Sequence, residues 1–335
     1  MKIILDAFGG DYAPLEPLKG AAWAVKELGV EVLAVGDIAK MEACCKENSI
    51  DTTGITFKQA DDIFDIHEDP MSIVKKRTNT SLHVAFKALA NGEGDAMVSG
   101  GSTGAILMGA TFIVKRLKGC KRPTLGAVVP GKHPDGFLLI DSGANNEVRP
   151  EMLDQFAVMG SVYMEKVMNR VPARVGLLNN GAEETKGPQV QRAAHALMAK
   201  NPHLNFVGNI EGREVLNDHV DVLVADGFSG NIALKSVEGA ASFMNKMMKD
   251  MFMTNLKTKI AALLLKDQLK AFKAKMDYRY YGGGVVMGVN KGVIKAHGAS
   301  DALAYKNAIR QAKLCAEFDV PGIIAEKLAS LGDEE

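Results

Sequence analysis

Cysteine is scarce in this chain, and so is any imbalance of charge. Four cysteines stand in 335 residues, Cys44 and Cys45 adjacent, Cys120 and Cys315 alone. Neither the evenly spaced set of a disulfide scaffold nor a CxxC zinc motif is present, and a reducing cytoplasm is the compartment this usage predicts. Forty basic residues balance 40 acidic ones. That removes the broad positive field a nucleic-acid surface needs and leaves any anionic partner to be met locally. No apolar run reaches the roughly 18 residues of a spanning helix. The opening MKIILDAFGGD, with a short apolar run before Asp6, predicts a first strand and no signal peptide. No GxGxxG fingerprint occurs. Gly126 to His133 has the outline of a P-loop, but His133 stands where Ser or Thr is required, and Pro130 and Pro134 would spoil the following helix. No metal and no cofactor are expected.

What the chain does have is glycine, 34 of 335 residues, about a tenth against a usual ~7%. Short apolar runs alternate with helical patterns. Strands are predicted at Ile3–Leu5, Glu31–Val35, Ile55–Phe57, Ala96–Ser99, Leu125–Val129, Phe137–Ile140, Val175–Asn179, Phe206–Val207 and Val222–Ala225. Helices are predicted at 15–28, 37–48, 81–91, 151–169, 189–200 and 299–317. Such alternation predicts an α/β fold, a three-layer α/β/α sandwich on a mainly parallel sheet. With no low-complexity linker and no repeat, residues 1–335 read as a single unit.

The stretch Asp221–Gly239, DVLVADGFSGNIALKSVEG, reads as a buried strand, a glycine-rich turn and an amphipathic helix. A helix N-terminus in that position aims N–H groups and positive dipole at whatever lies above the sheet, which suits phosphate or an oxyanion. Four other turns are alike: Asp6–Asp11, Ser99–Gly104, Asp141–Asn145 and Asn179–Glu183. Five such loops on one edge of a parallel sheet are expected to converge on a single phosphate-holding crevice. The candidate ligand-binding residues are Asp6, Gly9, Gly10, Ser102, Thr103, Gly104, Asn145, Asn180, Asp226, Gly227, Ser229 and Gly230, with His297 at the start of the last long helix. A rival reading exists. Gly100–Gly104 is a literal GxSxG between a strand and a helix, with Asp226 and His297 following in hydrolase order, so Ser102 could serve a thioesterase.

One segment breaks the alternation. Residues 244–278 read as a helical extension with Met244, Met247, Met248, Met251 and Phe252 on one stripe. Between Lys246 and Lys275 it carries eight lysines against two aspartates. The Met stripe suits a dimer contact, and Leu256, Ile260, Leu263 and Leu264 beside lysines suit an anionic membrane surface. A third reading follows from this segment alone, a non-catalytic membrane-associated scaffold.

Eight motifs resemble, in order and spacing, those of the bacterial phosphate acyltransferase (PlsX) family: DAFGGD (6–11), SGGSTGA (99–105), IDSGAN (140–145), GLLNNGAEETKG (176–187), GNIEGR (208–213), DGFSGNIALKSVEG (226–239), YGGGVVMGV (281–289) and HGASDALAYKNAI (297–309). The resemblance covers almost the whole chain. It implies a fold similar to the isocitrate and isopropylmalate dehydrogenases and the phosphotransacetylases. The implied activity is transfer of a long-chain acyl group from acyl carrier protein to inorganic phosphate, giving acyl phosphate for phospholipid synthesis. A homodimer attached peripherally to the inner face of the cell membrane is implied as well. Lys186 matches the family's functional lysine and Asn231 its functional asparagine. Phe8, Ser102 and Gly284–Met287 depart from the family pattern, which bears on phosphate contacts and chain-length preference.

Overall fold

The computed structural model describes residues 1–275 and 278–332; Met276, inside the predicted helical extension, lies outside them. The elements run β1 (Lys2–Asp6), α1 (Leu15–Leu28), β2 (Glu31–Gly36), α2 (Ile38–Glu47), β3 (Ile55–Gln59), α3 (Ser72–Lys75), α4 (Ser81–Ala90), β4 (Ala96–Ser99), α5 (Thr103–Gly109), β5 (Thr124–Val129), β6 (Phe137–Ile140), α6 (Pro150–Lys166), β7 (Arg174–Asn179), α7 (Gln189–Met198), β8 (Asn205–Glu211), β9 (Val222–Val224), α8 (Gly227–Met253), α9 (Leu256–Leu264), α10 (Lys266–Lys275), β10 (Gly283–Met287), β11 (Gly292–Ala296), α11 (Ala302–Glu317) and α12 (Val320–Gly332). A π-helical stretch, Ala110–Lys115, extends α5.

All strands join one 11-stranded sheet in the order β3-β2-β1-β4-β11-β10-β5-β6-β9-β7-β8. Strands such as β4 and β6 are buried along their whole length, as runs apolar on both sides must be when helices cover both faces. One face carries a continuous core in which Leu5, Leu138 and Ile140 meet Phe156 and Tyr163 of α6 and Ile309 of α11. The other face is divided. Ile4 and Met97 pack under Phe86 of α4 and Ile106 of α5, while Leu139 and Leu223 pack under Leu234 and Val237 of α8. Helices on both faces of a mainly parallel sheet make the three-layer sandwich.

The nine predicted strands are present, and two more were not foreseen. β10 and β11 come from GGGVVMGVNKGVIKA, where glycine weakens the strand pattern. They place three antiparallel pairings, β11 to β10, β10 to β5 and β5 to β6, at the centre of the sheet. The remaining pairings are parallel. This corrects the expectation that all five loops leave one edge. The turns after β1 and β4 leave one edge; those after β6, β7 and β9 leave the other.

Helix α8 also differs from expectation. It begins at Gly227, runs 27 residues without a break and passes directly into the predicted extension. Beyond Val237 it contributes nothing to a core cluster, and α9 has no buried residue. The extension stands off the sheet.

Asp221 ties β7 to β9. Its backbone N–H donates to Arg174 O at 2.8 Å, and its carboxylate accepts from Arg174 N, Nε and Nη2 at 2.8, 3.0 and 3.0 Å. Burial pushes the carboxyl up, but the hydrogen bonds and charge of Arg174, with Arg170, more than offset this and hold it below its usual range. A depressed carboxyl contributes stability above its ordinary pKa and loses it as pH falls through the folded-state value. Asp221→Asn is therefore expected to lower unfolding free energy by about 2 kcal/mol at pH 7. In urea titrations the gap to the parent protein should close below about pH 4.

Candidate active site

The site-forming loops sort into two groups. In the first, the Asp6 carboxylate is buried and accepts from Ser99 Oγ at 2.6 Å and Phe8 N at 3.3 Å. Burial raises its pKa against those hydrogen bonds. Gly101 N donates to Ser99 Oγ at 3.0 Å, Tyr305 OH to Gly9 O at 2.6 Å, and Asp11 N to Gly298 O at 2.8 Å. Gly9 must lack a side chain here, because a Cβ would lie 2.6 Å from Asp6 Oδ2 and 2.8 Å from Gly101 N. Gly10 has φ +104°. The structure thus brings together Asp6, Gly9, Gly10, the Ser102–Gly104 turn and His297. Ser102 is the N-cap of α5 but makes no capping bond, so the first-turn N–H groups there keep no side-chain partner.

His297 closes its own turn, its Nδ1 accepting from Ala299 N at 3.2 Å. Partial desolvation, then the charges of Lys295 and Lys235, push it below its ordinary pKa and favour the neutral ring. Lys295 itself is pushed down by burial and by Lys235.

The second group is built on Asp141, which is fully buried. Its carboxylate accepts from Gly143 N at 3.0 Å and from Ala144 N, Asn145 N and Asn145 Nδ2 at 2.8 Å. Burial raises its pKa, opposed by these bonds. Against this turn presses the start of α8. Asp226 N-caps the helix, accepting from Ser229 N at 2.8 Å. Gly227 N donates to Asn145 O at 2.7 Å, and Asn231 Nδ2 donates to Ser142 O at 3.1 Å. Gly227 and Gly230 permit the approach. A Cβ on Gly227 would sit 2.7 Å from Asn145 N, and one on Gly230 would strike the Asp141 carbonyl oxygen.

The Asn180–Gly187 loop completes the group. Asn179 Nδ2 donates to Lys186 O at 3.2 Å, Asn180 is exposed, and Gln191 Nε2 reaches Asp226 Oδ2 at 3.4 Å. Lys186 is exposed, and among the described residues no carboxylate lies within 4.0 Å of its ammonium.

The expectation that these turns aim backbone N–H groups at a ligand needs correction. In the Asp141 turn the N–H groups are consumed by Asp141 itself, and at the start of α8 those of Gly227 and Ser229 are already paired. The side-chain donors of this second group are Asn231, Lys186 and Ser229. Asp141 and Lys295 are the residues sequence reading passed over as site residues. Asp141 opens the Asp141–Asn145 turn, so an Asx turn is readable there. Lys295, inside an ordinary strand pattern, gave no signal.

Helix α8 is common to both groups. It starts in the second, and about two to three turns later Lys235 and Glu238 lie close enough to Lys295 and His297 to alter their titration. The hydrolase reading of Ser102 finds no support in this arrangement. The Ser102 hydroxyl makes no hydrogen bond among the described residues, its backbone (φ −55°, ψ 125°) is unstrained, and Asp226 is committed to capping in the other loop group. No group of three or more His, Cys, Asp or Glu residues that could hold a metal ion occurs among the described residues.

Solved structures with this architecture include phosphotransacetylases. One from Streptococcus pyogenes superposes with a TM-score of 0.63 at 19% identity, covering 95% of this chain and 94% of that one. The EutD phosphotransacetylase from Staphylococcus aureus gives 0.61 at 17% identity, covering 94% of each. These define the class of fold. The model of the family described as "Fatty acid synthesis protein" matches residues 1–322. The "Phosphate acyltransferase" of Oceanobacillus iheyensis is 42% identical over 335 residues, 100% of this chain and 99% of that protein; that of Bacillus subtilis is 39% identical over 329 residues, 98% of each. The chain belongs to this fatty acid synthesis protein family.

The contact between α8 and the Asp141 turn can be probed by paired substitutions on one helix. Gly230→Ala is expected to destabilise by about 1–3 kcal/mol through overpacking. Gly239→Ala, with open space around it, is expected to stabilise by up to about 1 kcal/mol. Equal urea midpoints for the two variants would contradict the close approach described.

Proposed function

We propose that the protein transfers a long-chain acyl group from the thioester of acyl carrier protein to inorganic phosphate. The observation that carries this reading is the junction of the Asp141 turn with the start of α8, where Asn231 donates to Ser142 O and Asp226 meets Gln191, which follows the loop bearing Lys186. Phosphate is itself the nucleophile, so no Ser or Cys of the protein is needed. A phosphate oxygen bonds to the thioester carbonyl carbon, the carbon–sulfur bond breaks, and the phosphate proton passes to the departing thiolate. The products are acyl phosphate and free thiol. Lys186 neutralises phosphate or the oxyanion, and Asn231 donates to the oxyanion. The first loop group, with the uncapped start of α5, supplies Thr103 and Gly104 as further phosphate contacts, alongside Asp6, Gly9, Gly10 and His297 as its frame.

The apolar extension supports two further assignments. Met244, Met247 and Met251 are 54%, 57% and 55% exposed, and Leu256, Leu263 and Leu264 are 74%, 70% and 78% exposed. Such surface calls for cover. The Met stripe is assigned to a second copy of the chain in a homodimer. Leu256, Ile260, Leu263 and Leu264, interleaved with lysines, are assigned to the surface of an anionic bilayer. No described helix is long and apolar enough to cross one. Leu263→Asp with Leu264→Asp is expected to abolish co-sedimentation with anionic vesicles and leave turnover in solution intact.

The test of the activity is thiol release from a long-chain acyl carrier thioester with and without phosphate, the product being trapped by hydroxylamine. Release that requires phosphate is expected, and Lys186→Ala and Asn231→Ala should each fall about 100-fold to 1000-fold while folding normally. Phosphate-independent release abolished by Ser102→Ala would instead establish the thioesterase. Vesicle binding with no turnover on any thioester would leave the scaffold.

A further inference from the structure

A second surface beside the site has no role in the reaction as described. Between the π-helical stretch and β5 the chain reads KRLKGCKR, with Lys115, Arg116, Lys118, Lys121 and Arg122 and no acidic residue, in a protein of net charge +0. All five cations are exposed, while Leu117 and Cys120 between them are buried. None has a carboxylate within 4.0 Å among the described residues, whereas Arg77, Arg170, Arg174 and Arg213 do. Phe112, 51% exposed, projects beside them and borders a hollow of about 440 Å³ with Lys115, Arg116 and Lys118.

The loop is fixed in place. Gln155 of α6 accepts from Lys121 N at 2.9 Å and donates to Gly119 O at 3.0 Å. Arg116 donates to Lys121 O at 2.8 Å, and Leu117 N donates to Gly288 O at 3.0 Å. A preformed surface loses little ordering entropy when it binds.

Its position decides what it binds. Pro123, the next residue, accepts from Asn145 Nδ2 at 2.8 Å, and Ala144 of the same turn packs against the core that includes Ile113 and Val114. The basic loop is thus one hydrogen bond from the turn against which Asn231 sits. We infer that Lys115–Arg122, with Phe112 at its edge, is the docking surface for the acidic carrier protein that delivers the acyl thioester. This rests on the proposed reaction and assigns it a partner surface. An unpaired cationic patch with one aromatic at its rim fits an acidic protein face. A bilayer contact would need several exposed aliphatics, as on Leu256–Leu264.

The test variant is Lys118→Glu, Lys121→Glu, Arg122→Glu, which leaves Leu117 and Cys120 in place. Its KM for the acyl carrier thioester is expected to rise on the order of tenfold or more, with kcat retained and the salt dependence of kcat/KM reduced. Turnover of an uncharged acyl N-acetylcysteamine thioester with phosphate should not change. An unchanged KM for the carrier thioester overturns the inference, as does an equal loss on both thioesters. Loss of anionic-vesicle binding with the carrier KM intact assigns the loop to lipid and overturns it too. Fluorescence anisotropy of labelled acyl-free carrier protein reads docking without turnover. If the parent protein makes no acyl phosphate, the proposed reaction fails, yet tighter carrier binding by the parent than by the variant still sustains the docking surface, and equal binding removes it.

Discussion

The constraint on which the rest of this structure depends is the antiparallel centre of its sheet. β10, entering from the far end of the sequence, pairs antiparallel with both β11 and β5, and β5 with β6; these three reversals leave the two parallel blocks pointing opposite ways. In a flat sheet the loops that follow them would be held apart for good. Strands twist by about 20–25° per neighbour, and six steps separate β1 from β9. At that twist the strand directions at β1 and β9 differ by an accumulated turn of about 120–150° besides the reversal.

Within each loop group the same device recurs: a buried carboxylate gathers the backbone donors of its own turn. Asp6 and Asp141 both lie at strand ends, both are buried, and burial raises the pKa of both. Each stabilises a shape and thereby removes N–H groups from ligand contact. The glycines that crowd these turns are therefore spacers, allowing one backbone to lie against another, as Gly227 does against Asn145. Ligand chemistry is left to a small set of side chains whose positions the carboxylates fix.

Much of this was legible in the chain. Apolar runs such as AMVS and FLLI are short, bounded and buried as read, and DGFSGN is the strand–turn–helix junction its residues describe. Legibility failed where the outcome depends on strand pairing. Nothing in VVMGVNKGVIKA, with its glycines, says that it will enter the middle of the sheet, and without that the edge from which each loop departs is undetermined. Nor does a sequence reveal which donors are already satisfied. Asp226 looked like a ligand-facing group and serves its own turn, as the overlooked Asp141 does. Lys295 is visible only once α8 is seen to pass near it.

Helix α8 has a mechanical consequence. At 27 residues it is about 40 Å long, and no proline or break interrupts it. One end is pressed against the Asp141 turn through Gly227, Gly230 and Asn231. The other carries Met247 and Met251 into solvent. The rod is anchored at one end and free at the other. The surface most exposed on this helix therefore lies on the same rigid element as the Asn231 amide.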